Sequence, residues 1–208
     1  RLKLGLDVLA LRDLDLLLQR NPDHYAALAE RARLREAGGA FAAAVADLSI
    51  LLRNRPDDVT AWARRGTIHH RTAHWAEAVD DLSRALLLDP AQPQLYYRRG
   101  LARHQLHRPQ QAIQDLDKAV SLEPTNPDFW YSRGNCHAGL GDAEAAIADY
   151  RQAVKHDPNH SAAWYNHGNM LFSQGRFEKA IESWDRTIAI QPDLFRAYNN
   201  RAAAYVQL

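Results

Sequence analysis

Cysteine is almost absent from this chain. Cys136 stands alone among 208 residues, which excludes an internal disulfide and any CxxC zinc or redox motif. A lone thiol leaves the compartment open, with the cytoplasm favoured. An excess of one sign of charge is also missing: 26 Lys+Arg against 25 Asp+Glu leave +1, so nothing global points to nucleic acid or to a polybasic membrane anchor. Long apolar runs are lacking too. The most apolar stretch, Leu14 to Leu18, is interrupted by Asp15 and preceded by Arg12 and Asp13, too short and too charged for membrane insertion. No basic, apolar and cleavage-site pattern follows Arg1, so a signal peptide is not expected within these residues.

Catalytic signatures are missing as well, with no HExxH, no Gly-rich phosphate loop and no GxSxG. Ten histidines invite a metal reading, but His156 and His160 flank Pro158, and His70 and His74 straddle an expected helix end. Zinc needs three or four converging ligands. The chain is therefore expected to have no catalytic activity of its own, no metal and no cofactor.

What the sequence does contain is a repeat. Pro22, Pro56, Pro90, Pro124, Pro158 and Pro192 are each 34 residues apart, without insertion or deletion. Taking this proline as column 32 gives a partial unit 1–24, five units 25–58, 59–92, 93–126, 127–160 and 161–194, and a further first helix 195–208. Column 4 then reads Leu28, Trp62, Tyr96, Trp130, Trp164, Tyr198, and column 8 reads Ala32, Gly66, Gly100, Gly134, Gly168, Ala202. Columns 20, 21, 24, 27 and 28 are apolar or small in every complete unit but for Thr187, the i, i+1, i+4, i+7, i+8 stripe of a buried helix face. Gly39, Gly141 and Gly175 share column 15, where a first helix must stop and turn back; Pro109 suits the first turn of the next helix, and Asn126 before Pro127 reads as an N-cap. Each unit is thus two antiparallel helices. Small residues at columns 8 and 20 should let the pair approach closely, with the large residue at column 4 filling the space beside them. Cys136, in a column otherwise Leu34, Ile68, Ala102, Met170 and Ala204, reads as a packing residue. By the match of Leu4-Gly5 to Leu140-Gly141, residues 1–4 are expected to end a preceding first helix.

These columns, together with segments such as Trp164-Tyr165-Asn166-His167-Gly168-Asn169, resemble the tetratricopeptide repeat over essentially the whole chain. The resemblance implies an all-α, right-handed superhelical solenoid of antiparallel helix pairs, acting as a protein-interaction scaffold. Column 7, usually a large aliphatic in that family, is here Arg31, Arg65, Arg99, Arg133, His167 and Arg201. Column 23 is Asp47, Asp81, Asp115, Asp149 and Ser183. Both columns change in the same unit. Ion pairs Arg31 with Asp47, Arg65 with Asp81, Arg99 with Asp115 and Arg133 with Asp149 are therefore expected, and a neutral bond between His167 and Ser183.

The resemblance also implies that first helices line a concave groove, chiefly through columns 2, 5, 6, 9, 12 and 13. Units 2 and 3 place there Arg64, His70, Arg71, Arg98 and His104, a basic patch that suits an acidic ligand. Units 3 to 6 place Tyr97, Tyr131, Tyr165 and Asn199 at column 5, Asn166 and Asn200 at column 6, and Asn135 and Asn169 at column 9. An asparagine amide offers one acceptor and two donors, so a row of them can hold successive peptide units of an extended chain, while tyrosine adds rigid contact area. This is similar to the asparagine ladder of O-linked N-acetylglucosamine transferases, which implies, as the alternative, the substrate-presenting region of a larger enzyme. It is only partly similar to the carboxylate clamp of chaperone-binding repeats: Asn135, Asn166 and Arg196 match, but Tyr131 and Asn200 stand where that clamp has cations. Beside these readings stands the plain one, that the columns are solvated polar positions. RNA recognition is disfavoured by the unbroken spacing and near-zero charge. The last segment carries Phe195, Tyr198, Tyr205, Val206 and Leu208, not the polar face of a solenoid cap, so a longer array, a partner or self-association through the array ends is expected to cover it.

Overall fold

The computed structural model describes residues 2–208, with side chains from Leu6 onward. Among these residues there are twelve helices and no strand: α1 (Leu2–Arg20), α2 (Tyr25–Ala37), α3 (Phe41–Asn54), α4 (Val59–Arg71), α5 (Trp75–Leu88), α6 (Pro93–Gln105), α7 (Pro109–Leu122), α8 (Pro127–Gly139), α9 (Ala143–His156), α10 (Ser161–Ser173), α11 (Phe177–Ile190) and α12 (Phe195–Val206). Every first helix from α2 to α12 begins at column 1. Its start is fixed by the preceding residue wherever a side chain caps it. Asp58 Oδ1 accepts from the Ala61 N–H at 2.9 Å, Asn126 Oδ1 from Asp128, and His160 Nδ1 from Ala163, each satisfying a donor the helix cannot.

The reversal inside each pair runs through a left-handed residue at column 15. Gly39, Gly141 and Gly175 have φ of 78°, 80° and 70°, and where the column lacks glycine Ala73 and His107 are forced to 60° and 57°, a conformation side chains resist. The pairs are antiparallel, as in α2 and α3, where Arg31 reaches Asp47 and Arg35, one turn later, reaches the Ala43 carbonyl. α2 carries Ala32 at column 8, but where that column is glycine the partner helix leaves no room for a Cβ. A Cβ on Gly66 would lie 2.9 Å from Leu82, on Gly134 2.8 Å from Tyr150, and on Gly168 2.6 Å from Trp184.

The side chain directly against the column 8 glycines is that of column 24. Column 4 fills space beside it, with Leu28 buried next to Ala32 and Ala44, and in later units it also reaches the turn between units, where the indole N–H groups of Trp62, Trp130 and Trp164 donate to the carbonyls of Pro56, Pro124 and Pro158 at 2.9, 2.7 and 3.0 Å. One expectation is corrected: at Gly5 no turn occurs, and α1 runs without interruption from Leu2 to Arg20. Continuing a helix through one glycine costs only about 1 kcal/mol, so a glycine here permits a turn without imposing one. Arg1 lies outside the described residues.

The chain divides into two compact units, residues 1–102 and 103–208, with α6 running across the division. In the first, Leu28, Leu48, Leu51, Leu52 and Ile68 form a buried core with Leu18 of α1. In the second, Ile147, Leu171, Ile181 and Trp184 do the same with Ala197 and Ala204 of α12.

Candidate functional site

Residues 5 and 9 of a helix lie 40° apart and residues 5 and 7 about 200° apart. The first helices therefore have two polar faces. One carries columns 5, 6 and 9; the other carries columns 4, 7 and 11.

On the second face three of the expected pairs, each inside one compact unit, are present and buried. Arg31 holds Asp47 through Nε and Nη2 at 3.0 and 2.5 Å, Arg65 holds Asp81 at 2.7 and 2.8 Å, and Arg133 holds Asp149 at 2.9 and 2.6 Å. The carboxylates are all but sealed from water, Asp47 at 1% exposure. Such fork-to-carboxylate geometry leaves one arginine nitrogen over, and it reaches back one unit to column 25: Arg31 Nη1 to Asp15, Arg65 to Ser49, Arg99 to Ser83, Arg133 to Asp117 and Arg201 to Asp185. The same guanidinium lies over the column 4 ring in Trp62, Tyr96, Trp130 and Tyr198. Column 11 joins the network. Arg35 and Arg103 bind Asp47 and Asp115 at 2.7 and 2.9 Å, and His69 and His137 approach Asp81 and Asp149 at 3.8 and 4.0 Å. Arg31, Arg65 and Arg133 thus each tie their own second helix to that of the preceding unit.

The fifth unit abandons the scheme in every column. Arginine becomes His167, aspartate becomes Ser183, column 11 becomes Leu171, and column 25 of the preceding unit becomes Arg151. His167 Nδ1 lies 3.0 Å from Ser183 Oγ, as expected. Burial, helped by the charge of Arg151, pushes the His167 pKa down to about 4, so the ring is neutral at pH 7. Columns 11 and 25 escaped the sequence reading, although column 11 switches in the same unit as columns 7 and 23 and column 25 in the unit before it.

On the first face the second compact unit assembles Tyr131, Asn135, Tyr165, Asn166, Asn169 and Asn200 into two equivalent rungs. Asn166 Nδ2 on α10 donates to Tyr131 Oη at 3.4 Å and to Asn135 Oδ1 at 3.0 Å on α8. Asn200 Nδ2 on α12 donates to Tyr165 Oη at 3.1 Å and to Asn169 Oδ1 at 2.9 Å on α10. The amides thus hold one another in fixed orientations. Tyr150 from the core also donates to Asn135, at 2.8 Å. In the next unit Trp184 replaces that tyrosine; its indole N–H has no hydrogen-bond partner, and a cavity of about 160 Å³ opens between Asn169, Phe172, Trp184, Asn200 and Ala203. Asn199 and Arg196 are exposed on α12 outside the rungs.

The basic residues are less coherent. In the first compact unit Glu36 accepts from Arg64 at 2.8 Å and from Arg71 at 3.3 Å, Arg71 also covers Phe41, and His70 meets Trp75 edge-on. Arg98 and Tyr97 are half-buried on α6. In the second unit His104 Nδ1 lies 3.5 Å from Cys136 Sγ, and burial pushes that thiol up to about 11, consistent with packing and not with a nucleophile. Among the described residues, no three His, Cys, Asp or Glu side chains converge as a metal site, and no helix is long and apolar enough to cross a membrane.

A tetratricopeptide repeat profile matches residues 9–59, 30–94 and 131–202, and a second one residues 66–129. The chain belongs to the tetratricopeptide repeat family. No curated protein matches it in sequence. Among solved structures, YrrB, described as a tetratricopeptide repeat protein with an unusual peptide-binding site, superposes with a TM-score of 0.79 at 25% identity, covering 91% of this chain and 97% of YrrB. MamA from Desulfovibrio magneticus RS-1 gives 0.76 at 18% identity, over 80% and 94% of the two chains. A chain of the Cut9–Hcn1 assembly of APC/C gives 0.68 at 18% identity, covering 98% of this chain but 40% of that one. The tetratricopeptide fold accounts for the helix pairs; the Arg/Asp network is added to it.

Proposed function

We propose that this tetratricopeptide repeat chain binds an extended peptide segment of a protein partner along the first-helix face that carries the Tyr/Asn rungs, and that it has no catalytic activity of its own. The observation that carries this reading is the mutual bonding of Asn166 with Asn135 and of Asn200 with Asn169. Each bond uses one donor and one acceptor, so the column 9 amide keeps its N–H groups and the column 6 amide its carbonyl oxygen. A peptide unit presents one carbonyl and one N–H, the complementary set. The rungs are already oriented, which lowers the ordering cost of binding. The peptide-binding description of YrrB agrees with the assignment.

The ligand's backbone, more than acidic side chains, is what this face recognises, because an acidic segment over Arg64 and Arg71 would have to displace Glu36. His104, Arg196 and Asn199 of the same compact unit are assigned as flanking contacts, and Tyr97 and Arg98 as candidate contacts of the first compact unit taken by itself. Affinity capture with the wild-type chain and with the Tyr131→Ala, Asn135→Ala, Asn166→Ala triple variant tests the assignment. Partners retained only by the wild type are expected; equal recovery by both would refute it. Phe195, Tyr205 and Val206 of α12 are exposed, and self-association through them predicts a molar mass that rises with concentration.

A further inference from the structure

The fifth unit's departure from the Arg/Asp scheme leaves more than a neutral pair. Between α10 and α11, with α9 behind, lies a cleft of about 590 Å³ whose walls include Ile147, Trp164, His167 and Leu171 and whose rim carries Arg151, Arg176, Lys179, Arg186, Glu182 and Asp185. The second unit has a cleft built from the same columns, lined by Trp62, Arg65, His69, Glu77, Asp80, Asp81 and Arg84. It serves as an internal control. There Arg65 is consumed by Asp81, and the remaining charges are Arg84 against Glu77 and Asp80. In the fifth unit Arg176 is paired with Glu144 and Asp185 with Arg201. Among the described residues Arg151, Lys179 and Arg186 have no ion-pair partner, and only Glu182 opposes them. The same position in the repeat has changed from acidic to basic.

We infer that this cleft is a second binding site, for a carboxylate side chain of an acidic peptide segment, independent of the Tyr/Asn face. Three features point to a carboxylate. In other units this location holds one from the chain itself, clamped by cations from columns 7 and 11: Asp47 by Arg31 and Arg35, for instance. The fifth unit lacks it, since Ser183 Oγ donates to the Lys179 carbonyl at 2.9 Å and meets His167 at 3.0 Å. The cations have moved from the floor to the rim, where they face an incoming group, and Trp164, Leu171 and Ile147 can receive the methylene stem of a glutamate. The site lies on columns 4, 7 and 11, turned about 200° from column 5 on the same helix, so one partner can occupy it while another occupies the rungs.

The test is fluorescence anisotropy with a labelled oligoglutamate peptide, beside a phosphoserine peptide of equal charge and a short RNA. Oligoglutamate should bind in low salt and weaken as salt rises. Arg151→Ala with Arg186→Ala should reduce its affinity at least about tenfold. His167→Arg with Ser183→Asp, which leaves net charge unchanged and rebuilds the pair of the other units, should reduce it equally while circular dichroism shows the helices retained. The Tyr131, Asn135, Asn166 triple variant should bind oligoglutamate normally, which separates this site from the peptide-binding face. No oligoglutamate binding, equal binding by the rebuilt variant, or binding of only the phosphopeptide or only the RNA would overturn the inference.

Discussion

At Gly168 one added methyl group would meet the indole of Trp184 at 2.6 Å, and that ring is 1% exposed. Overpacking of this kind costs about 1–3 kcal/mol. Gly139, at the end of α8, has nothing within 4 Å of the same added atom, so alanine there should gain up to ~1 kcal/mol. Urea unfolding of Gly168→Ala and Gly139→Ala should thus give shifts of opposite sign; equal shifts would contradict the packing described. His167 makes a second prediction. Its folded pKa of about 4 lies below the unfolded value of about 6.5, so above pH 6.5 the ring is neutral in both states and its burial costs nothing extra. As pH falls towards 4 the unfolded chain takes up the proton and the folded one does not, and roughly 3 kcal/mol of stability is lost. His167→Gln should show a smaller loss of stability between pH 6.5 and 4, and parallel curves would contradict this. The pairing of columns 7 and 23 was legible in the sequence because both change at residues 167 and 183. The reach of the spare guanidinium nitrogen to column 25 was not, since it depends on where the preceding unit's second helix lies.

Between elements, the arginines act as ties, and burial decides what each is worth. Asp149 is 5% exposed at its side chain and is gripped by two nitrogens of Arg133. Asp149→Ala would leave the largely buried Arg133 guanidinium with only the exposed Asp117 as an ion-pair partner and should cost about 3 kcal/mol, the lower end for a broken buried pair. Asp185 is 49% exposed, and Asp185→Ala should cost ~1 kcal/mol or less. Chemical denaturation of the two variants measures the difference, and similar costs would mean that the network contributes no more than surface pairing. Helix starts could be read from proline and capping residues because those signals are local. The expected turn at Gly5 failed for the opposite reason: glycine alone permits a turn without imposing one. At column 4 the size was legible, but the hydrogen bond from Trp62 to Pro56 was not, because it depends on the geometry of the turn between units.

For the whole molecule, the 34-residue period specified the helix pairs, and the tetratricopeptide repeat profiles matched along the chain bear out the family drawn from it. The candidate binding face was legible as columns of Tyr and Asn. Its internal bonds, spanning 31 and 35 residues, were not, because stacking of successive units creates them. The account's central claim is that the first helices bind a peptide along these columns while the Arg/Asp network behind them serves the fold. Amide hydrogen exchange of the chain with and without a captured peptide ligand tests it directly. Added protection is predicted on α8, α10 and α12, with α9 and α11 unchanged; protection confined to α9 and α11 would contradict the claim.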